Sequence, residues 1–384
     1  MLCTGARILL ESLKREGVDL FFGYPGGAVI DIYDELSNHP DLRHILVRHE
    51  QGAVHAADGY ARACGKVGVC LATSGPGATN TVTGIATAYS DSIPMVIFTG
   101  QVSTPLIGND AFQEVDIIGI TRPCTKHNFL VKDVKDLAET VRKAFYLARS
   151  GRPGPVLVDI PKNIQQASCE FVWPEDVVMR SYCPTFRANL NQLRRAMDVL
   201  VTSRKPLIVA GGGVIMANAA EELCTLAHLM HAPVCSTLMG LGAFPGDDPL
   251  WIGMLGMHGT FAANRAVTQA DVILAVGVRF DDRVTGKLSQ FAPNARIVHI
   301  DIDPTTLRKN VRVEVPVVSD ALSALQGLRS ILESGHAQKD WAGDHADWMG
   351  QVLEWQKEHP LSWAKGDVLK PQQAVERMYE ITKG

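Results

Sequence analysis

The sequence predicts an α/β protein made of two successive doubly wound parallel-sheet domains. Short apolar, β-branched runs alternate with longer helical stretches from Thr4 to Asn163, and the alternation returns from Leu190 to Leu332. Buried β-rich runs separated by helices indicate βαβ units, whose parallel strands are covered on both faces. Residues 166–187 lose this rhythm, with Trp173-Pro174 and Cys183-Pro184 in a stretch of mixed polarity, and are expected to be a linker.

Taken in order, Thr4 is placed to cap a helix that ends near Gly17, with Ile8, Leu9 and Leu13 on one face. In the first domain, 1–165, strands are expected at 20–23, 45–48, 67–73, 95–99 and 156–160. Helices are expected at 28–36, 51–64, 78–90 and 134–149. The second domain, 188–335, opens with a helix at 190–201 and a strand at 206–210 that runs into Gly211-Gly212-Gly213. Strands at 233–236, 272–278 and 296–302 and a helix at 321–332 complete it. Residues 336–369, with four tryptophans, are expected to be a connector. Lys370-Pro371 then opens one more helix, and 370–384 is expected to be the start of a truncated third domain.

Composition narrows the function classes. With 46% hydrophobic and 20% charged residues the chain can build a core, which excludes disorder as its main state. A net charge of −4 gives no electrostatic case for nucleic acid or a membrane surface. The longest apolar runs, Pro94–Phe98 and Val272–Val278, fall far short of the ~20 residues that span a bilayer. Ile8, Leu9 and Leu10 run straight into Glu11 and Lys14, so no signal peptide is expected. Eight cysteines without a CxxC pair read as reduced thiols of a cytoplasmic protein, with no zinc framework and no metal site. Small molecules are the expected partners.

Four clusters in the first domain carry the chemistry. Gly23-Tyr24-Pro25-Gly26-Gly27 ends a strand and opens a helix, where glycines leave backbone N–H groups facing a ligand; a plain βα turn would read the same way. Arg48-His49-Glu50-Gln51 follows the next strand. A carboxylate leaving an apolar strand is expected to be partly desolvated and suited to proton transfer. The alternative is a helix N-terminal Glu favoured by the dipole. Thr73-Ser74-Gly75-Pro76-Gly77-Ala78-Thr79-Asn80 resembles GxGxxG, except that Asn80 replaces the last glycine. Gly100-Gln101-Val102 and Ala111-Phe112-Gln113-Glu114 lie in the loop after the fourth strand, where exposed Phe and Gln suggest binding. In the second domain, Gly256-Met257-His258-Gly259 and Gly277-Val278-Arg279-Phe280-Asp281-Asp282-Arg283 place arginines after a strand, in position to pair a pyrophosphate.

Together these segments resemble the catalytic subunit of acetolactate synthase, a thiamine diphosphate enzyme family. FGYPGGAV (22–29), RHEQGA (48–53), ATSGPGATN (72–80), DSIPMVIFTGQV (91–102), IGNDAFQE (107–114), SGRPGPVLVDIPK (150–162), GMHG (256–259) and GVRFDDRVTG (277–286) carry the likeness, which runs from about residue 1 to 384. The resemblance implies a pyrimidine-binding domain followed by a central FAD-binding domain. Glu50 matches the glutamate that hydrogen-bonds the aminopyrimidine and favours the tautomer that removes the C2 proton. Tyr24, Pro25, Thr73, Pro76 and Asn80 match positions around the pyrimidine. Gly27, Phe112 and Gln113 match the substrate side, with Lys162 near the same entrance.

For FAD, bound without a net redox part, the resemblance points to Arg152, Gly212, Gly213, Thr237, Leu238 and Met239. It also points to Gly256, Met257, His258, Gly277, Arg279, Arg283, Val284, Asp301, Ile302 and Asp320. The family holds the diphosphate and Mg²⁺ through a Gly-Asp-Gly…Asn motif in a C-terminal domain, and no Gly-Asp-Gly occurs here. That domain is therefore expected to be missing, and the chain alone to be inactive. A homodimer or homotetramer and a regulatory small subunit are implied by the same likeness, with branched-chain amino acid biosynthesis as the pathway. Another FAD-containing relative, of the pyruvate oxidase or acetyltransferase type, stands as the enzyme alternative. A non-catalytic FAD-binding module stands as the alternative from another class.

Overall fold

The computed structural model describes residues 2–335 and 338–383. The chain divides into two compact units with the boundary between Thr185 and Phe186.

The first unit contains β1 (Leu2–Thr4), β2 (Leu20–Gly23), β3 (Arg43–Leu46), β4 (Gly68–Ala72), β5 (Met95–Gln101), β6 (His127–Leu130), β7 (Pro155–Pro161) and β8 (Ser168–Glu170). Six of them form a parallel sheet in the order β3-β2-β4-β5-β7-β6. Every residue of β4, β5 and β7 is buried, as continuous apolar runs require when helices cover both faces. Helix Leu137–Arg149 lays Val141, Ala144, Phe145 and Ala148 into this core. From β2 the chain passes to β3 on one side and then to β4 on the other, so the switch point of the sheet lies between β2 and β4.

Three details depart from the sequence reading. β3 occupies 43–46, not 45–48; it is an edge strand, and an apolarity criterion passed over Arg43 and His44. The helix expected at 78–90 is two helices, Pro76–Thr79 and Val82–Asp91, because Pro76 starts the first and Asn80 ends it. β6 was unpredicted, since HNFL carries no strand periodicity and gains its order from pairing with β7. Within 166–187, β8 pairs antiparallel with β1, while Phe171, Trp173, Met179 and Tyr182 pack on the first core at irregular spacing.

The second unit contains β9 (Pro206–Ala210), β10 (Val234–Ser236), β11 (Trp251–Met254), β12 (Val272–Val276), β13 (Arg296–Asp301) and β14 (Val315–Val318). All pair in parallel in the order β11-β10-β9-β12-β13-β14. Counted within the unit this is 3-2-1-4-5-6, the dinucleotide-fold order, with its switch point between β9 and β12. β11 and β14 were unpredicted edge strands; Pro316 in β14 lacks an N–H to donate and is tolerated at the edge. Residues 341–358, expected in the connector, form a helix of this unit. Trp341, His345, Trp348, Met349, Val352 and Trp355 are buried along one face, and Trp348 Nε1 donates to the Pro206 carbonyl at 2.8 Å. Helix Pro371–Thr382 buries none of its residues. Residues 336 and 337, where the connector was expected to begin, and Gly384 lie outside the described residues.

Candidate active site

At the switch point of the first sheet three loops converge on Glu50. Its helix, Glu50–Cys64, is capped by His49, whose Nδ1 accepts from the Gln51 N–H at 3.1 Å. The cap fixes the first turn, and Glu50 as a residue is only 8% exposed. Asn80 Nδ2 donates to Glu50 Oε2 at 3.0 Å. Among the described residues no donor reaches Oε1, so one oxygen is held and the other is open. Burial first, and the nearby Glu50 charge after it, push the Cys70 thiol upward; burial, Cys70 and Glu50 do the same to the Tyr33 hydroxyl. These groups share one poorly solvated neighbourhood.

Glycines keep the space beside Glu50 clear. A Cβ on Gly77 would stand 2.6 Å from Thr73 Cγ2 and 3.1 Å from Glu50 Oε1, and one on Gly26 would stand 2.5 Å from Thr73 Cγ2. Thr73 Oγ1 accepts from the Ala28 N–H at 3.2 Å, which ties the two loops together. Gly75 adopts φ +57°, and its would-be Cβ lies 2.6 Å from the Gln113 carbonyl oxygen. Only glycine allows that approach.

The loop bearing Phe112 and Gln113 is latched at its base. Gln101 Nε2 donates to Asp159 Oδ2 and to the Val115 carbonyl, both at 3.0 Å, and Gln101 Oε1 accepts from the Val102 N–H at 2.9 Å. Thr99 Oγ1 donates to Asp159 Oδ1 at 2.7 Å. Burial pushes the Asp159 carboxyl up to about 7, opposed by these two donors and assisted by the charge of Asp116. Farther along, Asn163 Oδ1 accepts from the Thr104 N–H at 2.9 Å. Glu114 accepts from the Ala111 and Gly108 N–H groups, which hold its carboxyl below its ordinary value.

The structure thus gathers Glu50, Thr73, Pro76, Asn80 and Gln113 around one cradle. Lys162 Nζ donates to the Gly27 carbonyl at 3.1 Å. Tyr24 is 41% exposed on the loop with Pro25, its N–H donating to Leu71 at 3.2 Å. Phe112 is 87% exposed and is not drawn into the cradle. Sequence reasoning missed Asp159; the signal was an acid inside the apolar strand run 156–160, where a buried carboxyl needs partners.

In the second unit the expected flavin residues follow the C-terminal ends of successive strands. Gly212 and Gly213 follow β9, Thr237, Leu238 and Met239 follow β10, and Gly256, Met257 and His258 follow β11. Gly277, Arg279, Arg283 and Val284 follow β12; Asp301 and Ile302 lie at the end of β13, and Asp320 follows β14. At the switch point the two backbones nearly touch. A Cβ on Gly277 (φ +60°) would stand 2.5 Å from the Gly213 Cα, and one on Gly211 would stand 2.0 Å from the Gly277 carbonyl oxygen. Gly212 faces Met239, and a Cβ on Gly256 would stand 2.4 Å from the Arg283 carbonyl oxygen, which also accepts from the Met257 N–H at 2.9 Å. His258 is exposed, and burial raises the Asp320 carboxyl. Arg152 is the exception. It belongs to the first unit, before β7, with Nε donating to Ser92 Oγ at 2.8 Å at the opposite edge of that sheet from Glu50. His299 was missed: fully buried, it holds the Val278 carbonyl through Nε2 at 2.8 Å, and burial drives it down to about 4.

Comparison with known proteins agrees with this geometry. Residues 3–120 match the thiamine pyrophosphate enzyme N-terminal TPP binding domain, and residues 193–328 match the central domain of the same enzymes. The acetolactate synthase large subunit of Haemophilus influenzae is 49% identical over 384 residues, covering 99% of this chain and 67% of that protein. The chain belongs to the acetolactate synthase large-subunit family. The isozyme 3 large subunit of Escherichia coli is 50% identical over 386 residues, again 99% of this chain and 67% of that protein. A probable acetolactate synthase large subunit of Methanocaldococcus jannaschii is 49% identical over 381 residues, 98% of this chain and 64% of that protein. The chain therefore spans about two thirds of the length of these acetolactate synthase relatives. Its domains are those of thiamine diphosphate enzymes, and the Glu50 cradle lies within the matched N-terminal domain.

Proposed function

We propose that the protein to which this chain contributes about two thirds decarboxylates pyruvate and joins the two-carbon unit to pyruvate or 2-oxobutyrate. With pyruvate as acceptor, two pyruvates give acetolactate and CO₂, the first common step toward valine, leucine and isoleucine. The observation that carries this reading is the half-held Glu50 carboxylate in a glycine-cleared cradle, within a chain 49–50% identical to acetolactate synthase large subunits.

Thiamine diphosphate, when bound, supplies the electron sink for decarboxylation. This chain's residues do the rest. Glu50 offers Oε1 to the pyrimidine ring and carries a proton, while Asn80 fixes Oε2 so that the carboxyl cannot swing away. Gly26, Gly75 and Gly77 leave room for the ring, with Tyr24, Pro25, Thr73 and Pro76 around it. Gln113 and Gly27 face the 2-oxo acid, the exposed Phe112 would have to fold in from its loop to reach it, and the Lys162 ammonium attracts its carboxylate.

FAD is assigned to the crevice between β9 and β12. The 3-2-1-4-5-6 strand order and the backbone contact of Gly213 with Gly277 suit a dinucleotide, and Arg279 and Arg283 stand ready for its pyrophosphate. No Gly-Asp-Gly occurs in the 384 residues, so Mg²⁺ and the diphosphate are assigned to ligands in the third of the family's length that this chain does not span. A homodimer or homotetramer that completes the thiamine site, a regulatory small subunit and a cytoplasmic location belong to the same reading. No helix among the described residues is long and apolar enough to cross a membrane.

The test is acetolactate formation by the full-length protein given pyruvate, thiamine diphosphate, Mg²⁺ and FAD. Acetolactate without flavin reduction supports the reading. Bleaching of the flavin by pyruvate, with no acetolactate, would make the protein an oxidase.

A further inference from the structure

Outside the two crevices, one cluster brings together three unlike metal-binding side chains. Cys224 and His228 sit one turn apart on helix Ala220–Met230, an i, i+4 pair on one face. Asp248, from the loop before β11, reaches the same face. One donor atom from each of the three lies within 4.8 Å of the others. His228 Nε2 and Asp248 Oδ2 are 2.7 Å apart, while Asp248 Oδ1 accepts from the Leu250 N–H at 2.8 Å. That backbone contact, together with the Trp251 N–H donating to the Asp248 carbonyl at 2.9 Å, fixes the loop and aims Oδ2 at the helix. The helix leads into the start of β10 and Asp248 precedes β11, so the cluster lies at the N-terminal edge of the second sheet. The proposed flavin crevice is at the C-terminal edge.

We propose that Cys224, His228 and Asp248 form a binding site for a divalent transition-metal ion, best suited to Zn²⁺, with water completing the tetrahedron. A thiolate, an imidazole and a carboxylate together favour a borderline-soft cation; Mg²⁺ and Ca²⁺ prefer oxygen alone. The proton balance is simple. The ion displaces the thiol proton to water, and a second proton if the imidazole is charged; no electron moves. Because the thiol binds as thiolate, occupancy should release protons. With His228 about half exposed, the ion has a direct path from solvent. The bound ion would clasp the helix to the β10–β11 loop and act as a structural staple, independent of the thiamine and flavin assignments.

The experiment is a Co²⁺ titration of the metal-stripped protein followed by absorbance. The expected result is a thiolate-to-cobalt charge-transfer band with tetrahedral d–d bands, saturating at one ion per chain and bleached by Zn²⁺. Cys224→Ser should abolish the charge-transfer band, and His228→Gln or Asp248→Asn should weaken binding at least about tenfold. Zn²⁺ should raise the Tm of the parent protein and leave Cys224→Ser unmoved. Absence of the band in the parent protein, or a band that survives Cys224→Ser, would overturn the site.

Discussion

Asn80 Nδ2 lies 3.0 Å from Glu50 Oε2, across a separation of 30 residues and between loops that leave two different strands. The contact locks half of a mostly buried carboxylate and leaves the other half for chemistry. Asn80→Ala removes the donor and leaves a buried acceptor oxygen, an expected cost of about 1–3 kcal/mol. Urea unfolding of the first unit measures it. Asn80→Asp should cost more, because it sets a second carboxylate against the first.

Gly77 is the cradle glycine that borders both Thr73 and Glu50. In Gly77→Ala the new methyl meets Thr73 Cγ2 at 2.6 Å and Glu50 Oε1 at 3.1 Å, so Thr73 or Glu50 must move. We expect a loss of about 1–3 kcal/mol, with thiamine diphosphate affinity falling further than stability does. Comparing cofactor titration with denaturant midpoints separates the two effects.

The second crevice gives a parallel test. Gly277→Ala combines a left-handed backbone with a Cβ 2.5 Å from the Gly213 Cα, so backbone itself has to give way. The expected cost is about 2 kcal/mol or more. FAD retained after mixing and desalting should be lost in Gly277→Ala. It should also be lost in Arg283→Ala, whose exposed side chain lies outside the core, so that its removal leaves the fold intact. Retention in both variants would contradict the flavin assignment.

Asp159 links the sheet core to the active-site loop and should leave a mark on stability against pH. Its carboxyl titrates near 7 when folded and near 3.8 when unfolded. Between those values the folded state holds one proton more than the unfolded state. The contribution is therefore complete below about 4, declines as pH rises, and is gone above about 7. The shift corresponds to roughly 4 kcal/mol. Asp159→Asn should flatten this slope, so urea midpoints of parent and variant should diverge between about pH 4 and 7. An unchanged slope would refute the assignment.

Much of this molecule was legible in advance because parallel strands buried on both faces announce themselves. β4, β5, β7, β9 and β12 are continuous apolar runs, and each fell where expected. Edge strands did not. β6 and β14 take their order from a neighbour's hydrogen bonds, a long-range fact that local pattern does not carry. The candidate site was legible as loops: Glu50, Thr73 and Asn80 follow successive strands, and topology alone brings such loops together. Which oxygen Asn80 holds, and which glycine clears which atom, depended on packing. Cys224 and His228 carry no CxxC spacing; their nearness comes from the helix, which brings side chains together at i, i+4.

The central claim is that Glu50 moves the proton that starts the chemistry. Deuterium exchange at C2 of bound thiamine diphosphate, read by acid-quench NMR on the full-length protein, tests it most directly. Glu50→Gln keeps the size of the side chain and an acceptor for Asn80. The account predicts exchange slowed at least about 100-fold with the cofactor still bound. Exchange at the parent rate in Glu50→Gln would contradict it.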